Sequence, residues 1–376
     1  MADGAGHSRT ARGAVLAALL ALAAPLTAAG PAHAVAAPDG RSLRAVRPLA
    51  SDRVDRVVRG ADGTPVGRVR AAATTVAAQR AVRAYWTPAR MRAARPYVVS
   101  ATRVPASAVR VAAGGRATRP PAVTGRLDRV WRTRGATVTG RSWPTPSTHR
   151  LARTTGKVFF HMDGGDYVCS GSAVSSPDAS TVLTAGHCVN EGGDGTTPGA
   201  YATGWLFVPG YRTNGTAPYG QFAATHLATT TGWRTLAEDF DNDVGFANVG
   251  RNASNQTLAQ AVGGQAIDFG RARGEWVTAL GYPAADPFDG EHLTYCRGYL
   301  RQDTYGGSAD QGLRCDMTPG SSGGPWVAGL DPVTGRGTLV SLTSFSYVGI
   351  DGYLWGTYLG TTAENLYDSV AATTGA

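Results

Sequence analysis

Residues 151–376 of this 376-residue chain are predicted to fold as an all-β protein, and three features carry that prediction. The apolar runs are short and rich in β-branched or aromatic residues: Phe159-Phe160, Tyr167-Val168, Trp205-Leu206-Phe207-Val208 and Trp276-Val277-Thr278-Ala279-Leu280. Gly, Pro, Asn and Asp separate them, as turns between strands require. The C-terminal end alone in this stretch has a helical pattern. There Thr361-Thr362-Ala363-Glu364 reads as a capping box, and Leu366, Tyr367 and Val370 fall at helical spacing. That helix is expected to pack on the second half of the domain.

The elements before residue 151 are of another kind. Arg9 and Arg12 precede an apolar run from Ala14 to Leu26, and Ala32-His33-Ala34 is a small-x-small cleavage signal, so residues 1–34 read as a secretory signal peptide. The run is short and alanine-rich for a membrane span, and no later segment is long enough, so the product is expected to be exported, extracellular and free of the membrane. Residues 35–150 hold 23 Arg against five Asp, with much Ala and Val and few aromatics. They read as a poorly ordered basic pro-segment without a large core of its own. Within it, Thr87 as cap, Pro88 at the first position and Pro96 as stop predict one short helix.

Residues 151–376 hold ten Arg and one Lys against 21 acids, so the overall charge of +9 comes from the segment before them. A nucleic-acid partner is therefore not expected. Opposite charges instead draw the pro-segment onto the domain as an intramolecular, salt-sensitive mask. Arg134, Arg141, Arg150 and Arg153 are candidate processing sites.

Three motifs carry chemistry. Thr184-Ala185-Gly186-His187-Cys188, Asn242-Asp243-Val244-Gly245-Phe246 and Gly320-Ser321-Ser322-Gly323-Gly324-Pro325 supply a histidine, an aspartate and a serine in that order. A serine hydroxyl becomes a nucleophile at neutral pH when a base lies within hydrogen-bond reach and a buried carboxylate orients that base. Ser322 is the candidate nucleophile, and its flanking glycines let the Gly320 and Ser322 amides turn inward as an oxyanion hole. The segment also fits Gly-x-Ser-x-Gly of the α/β-hydrolases, whose histidine follows the serine. Here every histidine precedes Ser322, which excludes that reading.

His187 ends the β-rich run Thr181-Val182-Leu183-Thr184 and is the expected base; His161, His226 and His292 are assigned structural roles. Asp243 directly precedes the strand-like Val244-Gly245-Phe246-Ala247, whereas Asp239 and Asp241 read as a solvated turn. A calcium loop beginning at Asp239 would need Gly and Glu where Val244 and Gly250 stand. Without a Cys-x-x-Cys pair zinc is not expected either, and no metal or cofactor is required. Residues 191–200 and 228–235 read as surface loops at the rim of the site. The four cysteines allow three pairings, with Cys169 and Cys188 on the strands that hold the base.

These segments together resemble the trypsin/chymotrypsin-like peptidases, nearest to secreted bacterial members including the glutamyl-endopeptidase-like group. The similarity runs loosely over about residues 155–372 and takes in Glu275-Trp276-Val277-Thr278-Ala279-Leu280-Gly281-Tyr282-Pro283. The resemblance implies two antiparallel six-stranded β-barrels, meeting near residues 250–265 with the site between them and a short C-terminal helix. It implies a Cys169–Cys188 bridge, leaving Cys296 with Cys315, both oxidised outside the cell. It places Ser344, on a substrate-bordering strand, beside the triad aspartate, with Ser341 or Ser346 as the neighbours a register slip would substitute. Asp316, six residues before Ser322, takes the place of the primary pocket's floor, where it would select Arg or Lys; a loop carboxylate capping backbone amides is the alternative.

The implied protein is a monomeric secreted serine endopeptidase that acts on proteins or peptides through an acyl-enzyme. A silent member of the fold that binds a protein, or an esterase using the same triad, are the rival readings. The chain departs from the family at Met317 and Pro319, and no Ile-Val-Gly-Gly-like start precedes the domain.

Overall fold

The computed structural model describes residues 56–101, 140–144, 149–305 and 308–372. The signal-peptide reading and the candidate cut at Arg134 lie outside the described residues. The N-terminal elements are β1 (Arg56–Arg59), β2 (Pro65–Ala71), α1 (Val76–Tyr85), α2 (Pro88–Ala93), β3 (Arg95–Pro96), β4 (Ser100–Ala101) and β5 (Arg141–Ser142). Next come α3 (Arg150–Thr154), β6 (Thr155–Met162), β7 (Gly165–Ala173), β8 (Thr181–Thr184), β9 (Thr203–Pro209), β10 (Phe222–Thr230), α4 (Thr231–Thr235) and β11 (Gly245–Val249). The remainder forms α5 (Leu258–Val262), β12 (Ala266–Ile267), β13 (Trp276–Gly281), β14 (Thr294–Tyr299), β15 (Arg301–Gln302), β16 (Gln311–Arg314), β17 (Pro325–Ala328), β18 (Thr338–Tyr347), β19 (Tyr353–Gly356) and α6 (Thr361–Ala371).

Strands β10, β11, β8, β7, β6 and β9 pair in that order, and β9 pairs again with β10, closing a six-stranded antiparallel barrel. Closure removes the free edges that open sheets expose. Val158, Phe160, Val182, Phe207 and Phe246 fill its core. The second sheet runs β16, β19, β18, β17, β13, β14, with β15 and β5 at its ends. Among the described residues no hydrogen-bonded ladder joins β14 to β16, so this sheet is less clearly closed. The Cys296–Cys315 bond spans that side, from β14 to the residue after β16. Trp326, Leu313, Val340 and Leu354 form the core beneath it.

Four expectations need correction. Residues 56–101 are not poorly ordered: β2 adds to β10 in antiparallel register, and Trp86 and Met91 are buried among Phe159, Leu206 and Val208 of the barrel. The segment's apolar residues are mostly Ala and Val, too small to build a separate core, and it borrows the barrel's. Thr87 does cap the short helix α2.

Helix α6 starts without the predicted capping box, since Gly360 occupies the cap position and Thr361 is already helical. It packs on the first barrel, where Ala363, Leu366 and Val370 join the main core and Asn248 Nδ2 donates to Val370 O at 3.1 Å. Residues 228–235 are not a surface loop. Ala228, Thr229 and Thr230 end the buried strand β10, and α4 inserts Trp233 into the interior. Among the described residues no helix is long and apolar enough to cross a membrane.

Candidate active site

The candidate base is mounted by backbone. Strand β8 ends at Thr184, and Gly186–Cys188 make one turn of 3₁₀ helix that turns His187 inward. Cys188 is bonded to Cys169 of β7, so the residue after the histidine is tied covalently to a neighbouring strand. Gly186 has no room for a side chain, because a Cβ there would lie 2.9 Å from both Asp243 Oδ1 and Thr229 Oγ1.

Asp243 follows the 3₁₀ turn Phe240–Asn242 and lies two residues before the start of β11. Its carboxylate is fully buried, and three donors converge on it: His187 N to Oδ1 at 2.8 Å, His187 Nδ1 to Oδ2 at 2.8 Å, and Ser344 Oγ to Oδ2 at 2.5 Å. A buried charge is tolerated when its lone pairs are filled in this way. With Nδ1–H donating to Asp243, the lone pair of neutral His187 lies on Nε2. Ser344 is thus the serine of β18 that reaches the aspartate. Ser341 Oγ donates instead to Thr357 O at 2.8 Å, and the backbone of Ser346 pairs with Ser100.

Ser322 lies between β16 and β17, and the loop around it is held in shape by its own carbonyls. Ala284 N donates to Pro319 O at 2.8 Å, and Gly324 N donates to Ser321 O at 2.9 Å. In a trans peptide the N–H points away from the preceding carbonyl, so these two bonds turn the amides of Gly320 and Ser322 to the opposite side. Among the described residues neither amide has a protein acceptor. Gly320 has φ +102°, and Gly323, at φ +76°, would push a Cβ to 2.5 Å from Ser170 O.

Ser321 stands immediately before Ser322, and its Oγ donates to Thr318 O at 2.8 Å. The loop is therefore braced from within.

Ser170, which sequence reasoning passed over, joins the two halves of the site. Its N donates to Ser322 O at 2.7 Å, its Oγ donates to Gly320 O at 2.8 Å, and that Oγ accepts from Tyr282 N at 2.8 Å. Its only sequence signal is its place directly after Cys169. The Cys188 sulfur lies 3.8 Å from Ser322 O, which brings the histidine's mount against the serine's loop. No hydrogen bond joins Ser322 Oγ to His187: Nε2 is buried without a partner among the described residues. The ring of Tyr97 is stacked on the imidazole, with centroids 5.9 Å apart and planes at 16°. Trp233 packs on His187 as well, at 6.0 Å.

Asp316 is half-buried, and its Oδ1 accepts from Gly140 N at 2.5 Å, so a backbone amide of the preceding segment occupies it. Cys169, His187 and Cys188 lie close together, but the sulfurs are bonded to each other and offer no thiolate to a metal.

The arrangement can take a proton at Nε2, stabilise the resulting imidazolium through Asp243, and offer two aligned amides to an oxyanion. Residues 169–335 match the trypsin-like peptidase domain. The solved structure of protease Anisep from Arthrobacter nicotinovorans is 41% identical, with all of its chain and 62% of this one covered and a TM-score of 0.55. The thermostable serine protease AL20 from an extremophilic microorganism is 37% identical, with 99% of its chain and 60% of this one covered and a TM-score of 0.54. No curated protein matches the sequence.

Proposed function

We propose that this chain, which belongs to the trypsin-like serine peptidases and is a serine-type endopeptidase, cleaves peptide bonds with Ser322 as nucleophile, His187 as proton carrier and Asp243 as the carboxylate that orients it. The observation that carries the reading is the fully buried Ser344–Asp243–His187 chain of hydrogen bonds. It fixes the tautomer a base needs.

In the reaction Ser322 Oγ attacks the scissile carbonyl carbon while Nε2 takes the hydroxyl proton. The carbonyl oxygen becomes an oxyanion between the Gly320 and Ser322 amides, whose direction the carbonyl bonds of Pro319 and Ser321 favour. The imidazolium returns the proton to the leaving nitrogen, the C–N bond breaks, and the acyl group remains on Ser322 as an ester. Water, deprotonated by Nε2, attacks the ester, and Ser322 regains its proton on release of the acid. Protein and peptide chains are the substrates, and the enzyme acts as a monomer without a cofactor.

The organisation follows from the same reading. Residues 1–34 are a signal peptide for export, 35–150 a pro-segment, and 151–376 the peptidase, with the second sheet as a second six-stranded barrel and the junction near residues 250–265. The share of this chain that the two relatives cover, about three fifths at nearly their full length, supports a mature domain without residues 1 to about 140. Asp316 is the floor of the primary pocket and selects Arg or Lys once Gly140 withdraws. A diverse peptide library treated with the processed protein and with Ser322→Ala tests this. Serine-dependent cuts after Arg or Lys are expected, and cuts spread over other residues would make Asp316 a loop cap instead.

A further inference from the structure

The cleft already holds a peptide, and it is the chain's own. Backbone at Arg95 and Pro96 pairs with Tyr167 and Val168 of β7, and Tyr97 N donates to Val168 O at 3.3 Å. The Tyr97 ring then covers His187 and meets Tyr167 edge-on at 5.0 Å. Val99 packs into the apolar cluster that holds Phe240, Phe345 and Trp355, and the backbone of Ser100 and Ala101 pairs with Ser346 and Tyr347 at the end of β18. With this strap in place His187 is completely buried and Ser322 is 6% exposed.

The direction of the strap decides what it does. Both terminal pairings are parallel, so the chain runs from β7, past His187, to β18. A scissile peptide must lie the other way. Its carbonyl oxygen has to reach the Gly320 and Ser322 amides between β16 and β17 of the second sheet, and its leaving nitrogen has to face His187 on the barrel. Its acyl half therefore lies over the second sheet and its amine half over the barrel, so the chain proceeds from β18 towards β7. In a strap of opposite polarity a peptide group brought to Ser322 would carry its nitrogen towards β18 and away from His187, so the imidazolium could not protonate the leaving group.

The strap is anchored outside the cleft. The β1–β2 hairpin extends the barrel sheet at β10, Trp86 Nε1 donates to Gly204 O at 2.6 Å, and Tyr85 OH donates to Asp166 Oδ1 at 2.9 Å. Binding of residues 95–101 is thus intramolecular and needs little affinity of its own.

We infer that residues 56–101 are a built-in peptidase inhibitor whose terminal strap threads the catalytic cleft in reverse, blocking substrate without being cut. This rests on the assignment of Ser322 and His187 above. The test uses the full chain purified intact, its mass checked before and after, beside the same chain after processing. Two quantities are read: the initial rate on a short peptide substrate, and labelling of Ser322 by a fluorophosphonate.

The intact chain should be slow in both and the processed chain fast. Tyr97→Ala should raise the intact chain's rate about tenfold or more, since a lost ring stack and its burial are worth roughly that factor. Tyr97→Phe should stay at the intact level. Val99→Ser reads the β18 end of the strap should Tyr97→Ala fail to fold, and it should raise the rate in the same direction. No Ser322-dependent cut should appear between residues 95 and 101. An intact chain as fast as the processed one, or Ser322-dependent termini within the strap, would overturn the inference. A processed chain that takes no label at Ser322 would remove the catalytic assignment and this inference with it.

Discussion

A methyl group at position 320 has nowhere to go. It would lie 2.7 Å from Tyr282 O and 2.9 Å from Ala284 N, at a backbone φ of +102° that side chains avoid. Ala284 N is the donor that holds Pro319 O, so Gly320→Ala displaces the bond that aims the Gly320 amide. Turnover of a peptide substrate by the processed variant should fall by roughly 10²- to 10³-fold, the cost of one lost oxyanion donor. Folding should persist, and a cooperative thermal transition checks that. As candidates, His187, Asp243 and Ser322 were legible because each sits in a motif whose neighbours are needed for its own geometry. Ser170 and Tyr97 were not, since one acts through carbonyls 150 residues away and the other through a ring stacked across two separated segments.

Among elements, strand β6 bears on the site through a buried cation. Lys157 Nζ donates to Gly290 O at 2.9 Å, Gly290 N donates to Pro283 O at 2.8 Å, and the adjacent Ala284 holds the oxyanion loop. Burial pushes the Lys157 ammonium down to about 8, with Glu291 opposing the shift. A lysine lowered on folding carries no penalty above its unfolded value near 10.5. As pH falls towards 8 the unfolded state takes a proton that the folded state does not, so stability declines and then levels off below that point. In a Ser322→Ala background, denaturant unfolding should show the wild-type lysine gaining on Lys157→Met by roughly 2–4 kcal/mol between pH 8 and 10.5. A gap flat across that window would mean that the buried lysine titrates normally.

The strands were readable from β-branched and aromatic runs, but their partners were not. Thr229 and Thr230 looked like loop because the run is polar. They are buried, with Thr229 Oγ1 donating to Val244 O and Thr230 Oγ1 to Asn242 O. Helix α6 was placed by its apolar spacing, but the surface it packs on, that of the first barrel, is set by strands far away in sequence.

At the scale of the molecule, charge and composition gave a basic segment attracted to an acidic domain. That reading missed how the segment is held. A hairpin extending the barrel sheet, the buried Trp86 and Met91, and a strap in the cleft supply interactions that salt screens far less than surface charge. Composition counts residues, and it cannot show that a segment with few large apolar side chains completes its core with another segment's surface. The catalytic half of the molecule was legible because chemistry fixes a few residues in close sequence context. The inhibitory half was not, since backbone pairing between distant short strands leaves almost no sequence mark.

The central claim is that Ser322 is a nucleophile made reactive by the buried His187–Asp243 pair. Reacting the processed protein with a fluorophosphonate and locating the adduct by peptide mass spectrometry tests it most directly. One label on Ser322, abolished in Ser322→Ala and slowed by orders of magnitude in His187→Ala, is the result predicted here. A label on another residue, or labelling of Ser322 at an unchanged rate without His187, would contradict it.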